Sequence, residues 1–155
     1  MTLIELCVAL AVVGIVAASA IPSINNWMPK YRLRVGMRSV SADLALAKMR
    51  AVATGENYGL CFHDMNRWIG NATEYTMFRD DGTTPGQLDD GDTIERDHVQ
   101  LPKDVYCWIN VFSQRTVTFK PNGSSNGGWL YLRNDRNKHM GLDVVSYTGR
   151  VRIYK

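Results

Sequence analysis

From Leu6 to Ile24 the chain reads LCVALAVVGIVAASAIPSI, a run without a charged residue and close to the roughly 20 residues a helix needs to cross a bilayer. A helix in a soluble core keeps a polar face. This run has none, so the pattern predicts a segment that sits in lipid. Its flanks do not fit a secretory signal peptide, which opens on Lys or Arg and closes on small residues at a cleavage site. Here MTLIEL opens on an acid, and Ile21, Pro22 and Ile24 close the run. From Ser23 to Gly55 the pattern turns amphipathic. Val40, Leu44, Ala47 and Ala51 recur at helical spacing, which sets Arg32, Arg34, Arg38, Lys48 and Arg50 to face mostly solvent or neighbouring subunits. Gly14, Pro22 and Pro29 are the weak points of this helix, because proline removes a backbone donor and crowds the preceding turn.

After Gly55 the period shortens. YGLCFH, TEYTMF, TIERDHVQL, VYCWINVF, RTVTFKP, GWLYLR, LDVVSYTG and RVRIYK are strand-like stretches separated by Gly, Asp, Asn and Pro turns, the pattern of an antiparallel β head. The expected fold is α+β: a long N-terminal helix packed on an antiparallel β-sheet head. Residues 1–24 form a membrane helix, 25–55 the amphipathic half of the same helix, and 56–155 the β-rich globular head. A chain of 155 residues suits one domain with one extra element.

Charge sharpens the picture through its distribution, since the formal net charge is only +3. Ten acids face four Lys or Arg between Cys61 and Ser113, whereas eight Lys or Arg face two acids from Gln114 onward. The C-terminal third is the basic part. In residues 1–24 the one charged side chain is Glu5, and an ionised carboxylate in hydrocarbon is costly unless paired. No Lys or Arg precedes Lys30. The nearest positive charge is then a free α-amino group, its own or that of an adjacent copy, and such a pair would favour a staggered bundle of identical helices. The alternative is that Glu5 snorkels to the interface of a plain membrane anchor.

Met1-Thr2-Leu3-Ile4-Glu5-Leu6, the apolar run and Ala20-Ile21-Pro22 together resemble the start of a mature type IV pilin or type II secretion pseudopilin. The head motifs resemble the FimT/GspH-type minor pilins and pseudopilins. These are Phe78-Arg79-Asp80-Asp81-Gly82, the acidic turn Asp89-Asp90-Gly91-Asp92, Val117-Thr118-Phe119-Lys120-Pro121-Asn122-Gly123 and Ser146-Tyr147-Thr148-Gly149-Arg150-Val151-Arg152-Ile153. The likeness covers nearly the whole chain. Met1 departs from the Phe that most members carry. The resemblance implies cleavage by a prepilin peptidase, N-methylation at Met1, and contact of Glu5 with a neighbour's N-terminus during assembly. Thr2, Gly14 and Pro22 belong to the same assembly segment, and related filaments loosen their helix between the equivalents of Gly14 and Pro22. The implied partners are copies of the chain and other pilins, with the inner membrane before assembly and a periplasmic or extracellular filament of a bacterium afterwards. A structural filament subunit is the leading function, in a pilus or a secretion pseudopilus.

The basic tail offers a second function. In the strand Arg150-Val151-Arg152, alternation places both arginines on one face, and with Arg133, Arg136, Lys138 and Lys155 that face could neutralise phosphates. Some FimT-type minor pilins capture DNA for uptake through a C-terminal Gly-Arg-x-Arg motif, which Gly149-Arg150-Val151-Arg152 matches. The alternative is an arginine face paired with an acidic neighbour. Asp80, Asp81, Asp89, Asp90 and Asp92 are weak calcium candidates, since Asp-Gly pairs are ordinary turn chemistry. Cys61 and Cys107 could form a disulfide in an oxidising compartment, or remain two buried strand thiols. Neither has the CxxC or Cys/His spacing of a zinc site. His63, His98 and His139 are scattered, and no nucleophile–base set or phosphate loop emerges. The chain reads as non-enzymatic and without a cofactor. Trp68, Trp108 and Trp129 read as core aromatics, with an exposed glycan- or surface-binding cluster as the alternative. Asn71-Ala72-Thr73 and Asn122-Gly123-Ser124 are sequons of little weight without a known host.

Overall fold

The computed structural model describes residues 2–63, 69–110 and 115–154, without the side chains of residues 17–26, 69–70 and 109–110. A single helix, α1, runs unbroken over Leu3–Thr54, about 78 Å at 1.5 Å per residue. Gly14, Pro22 and Pro29 do not interrupt it in the single chain. It stops at Gly55, whose left-handed φ of 78° lets its amide reach Ala51 O at 3.1 Å, a backbone conformation that glycine takes without a Cβ penalty.

The head holds two antiparallel sheets rather than one. The four-stranded sheet is ordered β4-β3-β1-β6, with β1 Tyr58–Phe62, β3 Glu74–Arg79, β4 Thr93–Gln100 and β6 Thr116–Phe119. The five-stranded sheet is ordered β2-β5-β7-β8-β9, with β2 Ile69–Ala72, β5 Val105–Asn110, β7 Gly128–Asn134, β8 His139–Val145 and β9 Arg150–Tyr154. Short strand β2 has no counterpart among the sequence-predicted stretches, and β8 starts three residues earlier than LDVVSYTG suggests. Helix α1 contacts both sheets. Its stripe of Leu33, Met37, Val40, Leu44, Ala47 and Ala51 is buried, against Leu60 and Phe62 of one sheet and Leu130 and Leu142 of the other within a single cluster. Burying apolar area contributes about 25 cal/mol per Å², which binds the second half of the helix to the head.

The other face of the four-stranded sheet is also covered. Phe78 is fully buried there and its ring lies over Gly59, where an added Cβ would come within 2.7 Å. The β3–β4 connection folds back over this face and brings Gly86 to Thr118.

Candidate functional site

The first turn of α1 is a capping box: Glu5 Oε2 accepts the Thr2 amide hydrogen at 3.3 Å. Thr-x-x-Glu is a readable helix-start signal, and sequence reasoning that treated Glu5 only as a charge missed it. Beyond this turn Leu3, Ile4, Leu6, Val8, Leu10, Val12, Val13, Ile15 and Val16 are all exposed. Met1 lies outside the described residues, as do the side chains from Ala17 to Asn26, including Pro22. Among the described residues no helix is long and apolar enough to cross a membrane, and the sequence-predicted span of Leu6–Ile24 continues into those side chains.

The helix cations divide into two sets. Arg34 and Arg38 are exposed as expected. Arg32, by contrast, pairs with Asp104 at 2.7 Å, Arg50 pairs with Glu95, and Lys48 Nζ donates to Thr148 O at 2.7 Å. Three of the five thus bind their own head. Periodicity places them at the edge of the buried stripe but cannot show what the head presents there.

The acidic turns are built as a self-capped loop. Asp89 accepts amide hydrogens from Thr83, Thr84 and Gly91, all at 2.9 Å; Asp92 accepts from Gly82 at 2.8 Å and Asp89 at 2.9 Å; Asp80 accepts from Gly86 at 3.0 Å. These bonds hold the Asp89 carboxyl below the usual range, and the Thr93 hydroxyl does the same for Asp81. Desolvation pushes Asp80 up. The oxygens proposed as calcium ligands are thus largely engaged with backbone, while Asp90 is exposed; among the described residues no His, Cys, Asp and Glu group is arranged to hold a metal.

Cys61 and Cys107 are thiols, on β1 of one sheet and β5 of the other. Burial pushes both thiol pKa values up. His63 and His98, distant in sequence, stack at 4.8 Å, and His98 Nδ1 lies 2.8 Å from Glu74 Oε1. His139 lies elsewhere, edge-on to Tyr131. Trp68 is outside the described residues; Trp129 is 57% exposed rather than core, and Trp108 carries the Arg133 guanidinium 5.0 Å above its ring.

The basic residues gather in one sheet but not at one place. Arg150 and Arg152 are exposed on edge strand β9, opposite Val145 and Asp143 of β8. Arg136 and Lys138 lie in the β7–β8 turn, at the far end of the same strands. Arg133 points to Asn137 and Trp108, and Lys155 is outside the described residues. Near Arg150 the structure brings a cation that sequence reasoning had left on the helix: Lys48, Ser41 and the Thr148–Val151 turn line a shallow cleft. Gly149 has a packing reason. Its φ is 54°, and a Cβ there would fall 2.5 Å from Gly123 O and 3.2 Å from the Phe119 ring.

Residues 37–149 match the family described as type II transport protein GspH. The chain belongs to this family. Its fold is similar to that of the type IV minor pilin FimU from Pseudomonas aeruginosa, with 14% identity over 83% of this chain and 92% of that one at a TM-score of 0.59. It is similar to the minor pseudopilin EpsH from the type 2 secretion system of Vibrio cholerae, at 12% identity, 79% and 95% coverage and a TM-score of 0.55. GspH of E. coli gives 15%, 79% and 87%, and 0.56. At these identities the likeness establishes the fold. No curated relative matches the sequence.

Two features of this GspH-family head tie α1 in place. In the middle of the helix, Asp43 is buried; it accepts from the Tyr75 hydroxyl at 2.6 Å and pairs with Arg96. At the base, where the helix leaves the head, buried Asn134 donates from Nδ2 to Pro29 O at 3.3 Å. Its Oδ1 accepts the amides of Arg136 and Lys138 at 3.1 and 2.9 Å.

Proposed function

We propose that this GspH-family chain is a minor subunit of a type IV pilus-like filament or of a type II secretion pseudopilus, assembled through its N-terminal helix. One observation carries the reading: from Leu3 to Val16 the large apolar side chains of α1 are exposed, with Glu5 their one charged neighbour. An apolar surface on every side of a helix calls for lipid or for other apolar helices. The inner membrane covers it before assembly, and a bundle of related helices in a periplasmic or extracellular filament covers it afterwards. Glu5 then exchanges its local bond to Thr2 for the N-terminal amine of a neighbour, with Met1 as the terminus processed by a prepilin peptidase and methylated. The role is structural.

The test is Glu5→Ala in the source cells, followed by mass spectrometry of sheared filaments. The expected result is a folded chain lost from the filament fraction. Unchanged incorporation of the mutant would overturn the Glu5 pairing, and absence of the parent chain from every filament or pseudopilus preparation would overturn the subunit role.

A second reading is DNA capture. It is favoured by Arg150 and Arg152, which are exposed and have no ion-pair partner among the described residues, with Lys48 beside Arg150 in the same cleft. Phosphate neutralisation makes the affinity fall with salt at a slope of about −0.9 per contact. Gel-shift titrations across salt concentration, with and without the two arginines, measure that slope.

A further inference from the structure

We infer that the base of the head carries a site for the phosphate of an anionic phospholipid, formed by Lys30 of α1 and by Arg136 and Lys138 of the β7–β8 turn. The inference rests on the reading of the first half of α1 as a membrane segment. The three cations surround a cleft of about 320 Å³ that Pro29 and Asn134 complete. The turn is held against the helix by Asn134, which is 1% exposed and bonds at once to Pro29 O and to the amides of Arg136 and Lys138. Asn137, at φ 58°, closes the turn with its amide on Asn134 O at 3.0 Å. The backbone of the turn that carries Arg136 and Lys138 is therefore held beside the helix, next to Lys30, by these part-buried bonds. Of the acids nearby, Asp104 is paired with Arg32, and exposed Asp135 is the one acid in the turn itself.

Position along the helix gives the site its ligand. If hydrocarbon ends near Ile24, Trp27 and Lys30 lie about 5 and 9 Å further on at 1.5 Å per residue. The headgroup layer is about 5–8 Å thick on each side of the core, within reach of a lysine side chain that bends toward the membrane. Trp27 is 57% exposed and stacks on Tyr31 at 4.9 Å, and exposed Trp and Tyr are the residues that settle at the membrane–water interface. Aromatic pair and cation cluster thus lie within about one turn of each other, at the level where lipid phosphates stand. A zwitterionic phosphatidylcholine phosphate carries its own cation. An anionic phosphatidylglycerol phosphate does not, so it is the preferred occupant.

The experiment uses the full chain reconstituted in phosphatidylcholine bilayers, with trace spin-labelled phosphatidylglycerol or phosphatidylcholine, and reads the lipid motionally restricted by the protein. The expected result is a preference for phosphatidylglycerol on the order of fivefold, reduced to near parity in Lys30→Gln/Arg136→Gln/Lys138→Gln and retained in Lys120→Gln. Circular dichroism checks that both variants keep the fold. Equal restriction of the two lipids by the parent chain, or an undiminished preference in the triple variant, would overturn the site while leaving the membrane helix intact. Loss of the preference on adding millimolar inorganic phosphate, at constant ionic strength, would make this a site for soluble phosphate and overturn the lipid assignment. Failure of the chain to enter bilayers at all would instead remove the membrane reading, and the site with it.

Discussion

The Tyr75 phenol donates to Asp43 Oδ2 across 2.6 Å, joining α1 to the four-stranded sheet at the one charged side chain that is buried among the described residues. Ser39 Oγ lies 3.3 Å from the same phenol oxygen, and Arg96 pairs with the other Asp43 oxygen. Burial, together with the bond to Asp43, pushes the Tyr75 pKa far up, so the phenol stays protonated and remains a donor. Removing Asp43 would leave a buried hydroxyl short of its acceptor, a loss of roughly 1–3 kcal/mol. The Arg96 contribution is smaller because its side chain is 45% exposed and solvent screens the pair. Denaturant unfolding of Asp43→Ala, Tyr75→Phe and the double variant should show costs that do not add, the sign of a shared bond. Additive losses would mean that the two residues act separately.

Gly59→Ala should destabilise the head by about 1–3 kcal/mol, although Ala favours no conformation that β1 lacks. The new methyl would meet the ring of Phe78 at 2.7 Å, and that ring is fully buried. Pairing the change with Phe78→Leu should recover part of the loss in thermal unfolding. No recovery would locate the strain elsewhere.

The helix and most of the strands were legible from periodicity alone, because Val40, Leu44, Ala47 and Ala51 repeat at helical spacing and the head strands are bounded by turn residues. Strand β2 was not, since IGNA has neither the length nor the alternation of a strand and is held by its pairing with β5. Partition into two sheets was hidden for a similar reason: β1 and β2 are neighbours in sequence but pair with β3 and β6 on one side and β5 on the other, and local pattern says nothing of such choices. Among site residues, Glu5 stood out by being a lone charge. The base cluster did not, because Lys30 and the Arg136–Lys138 turn are about a hundred residues apart and come together where Asn134 bonds to Pro29.

The loop carrying Asp80 to Asp92 should open in acid. Amide hydrogen bonds depress Asp89, and the Thr93 hydroxyl depresses Asp81, so each folded pKa lies below its unfolded value. Their stabilisation is complete above the ordinary aspartate range near pH 3.9 and is lost as pH falls through the depressed folded values. Asp80, raised by desolvation, has the opposite sign and makes the loop less favourable as pH rises through its folded value. The protection of the amides of Thr83, Thr84 and Gly91 against hydrogen exchange, relative to their intrinsic rates, should therefore fall below about pH 4, before that of the core amides does. Protection that persists to pH 2 would mean that the carboxylates do not hold the loop.

The two basic clusters of the five-stranded sheet should separate by ligand. Arg150 is opposite Val145, at one end of β8, and Lys138 precedes His139 at the other, so about 20 Å of strand lies between them at 3.3 Å per residue. That exceeds the Debye length of about 8 Å at physiological salt, and the clusters do not act as one field. Arg150→Gln with Arg152→Gln should flatten the salt dependence of DNA binding by about two contacts, close to 1.8 in slope, and leave phosphatidylglycerol preference unchanged. Lys30→Gln with Arg136→Gln and Lys138→Gln should do the reverse. If either variant moved both readouts equally, the head would be responding to net charge, and neither cluster would be a site in its own right.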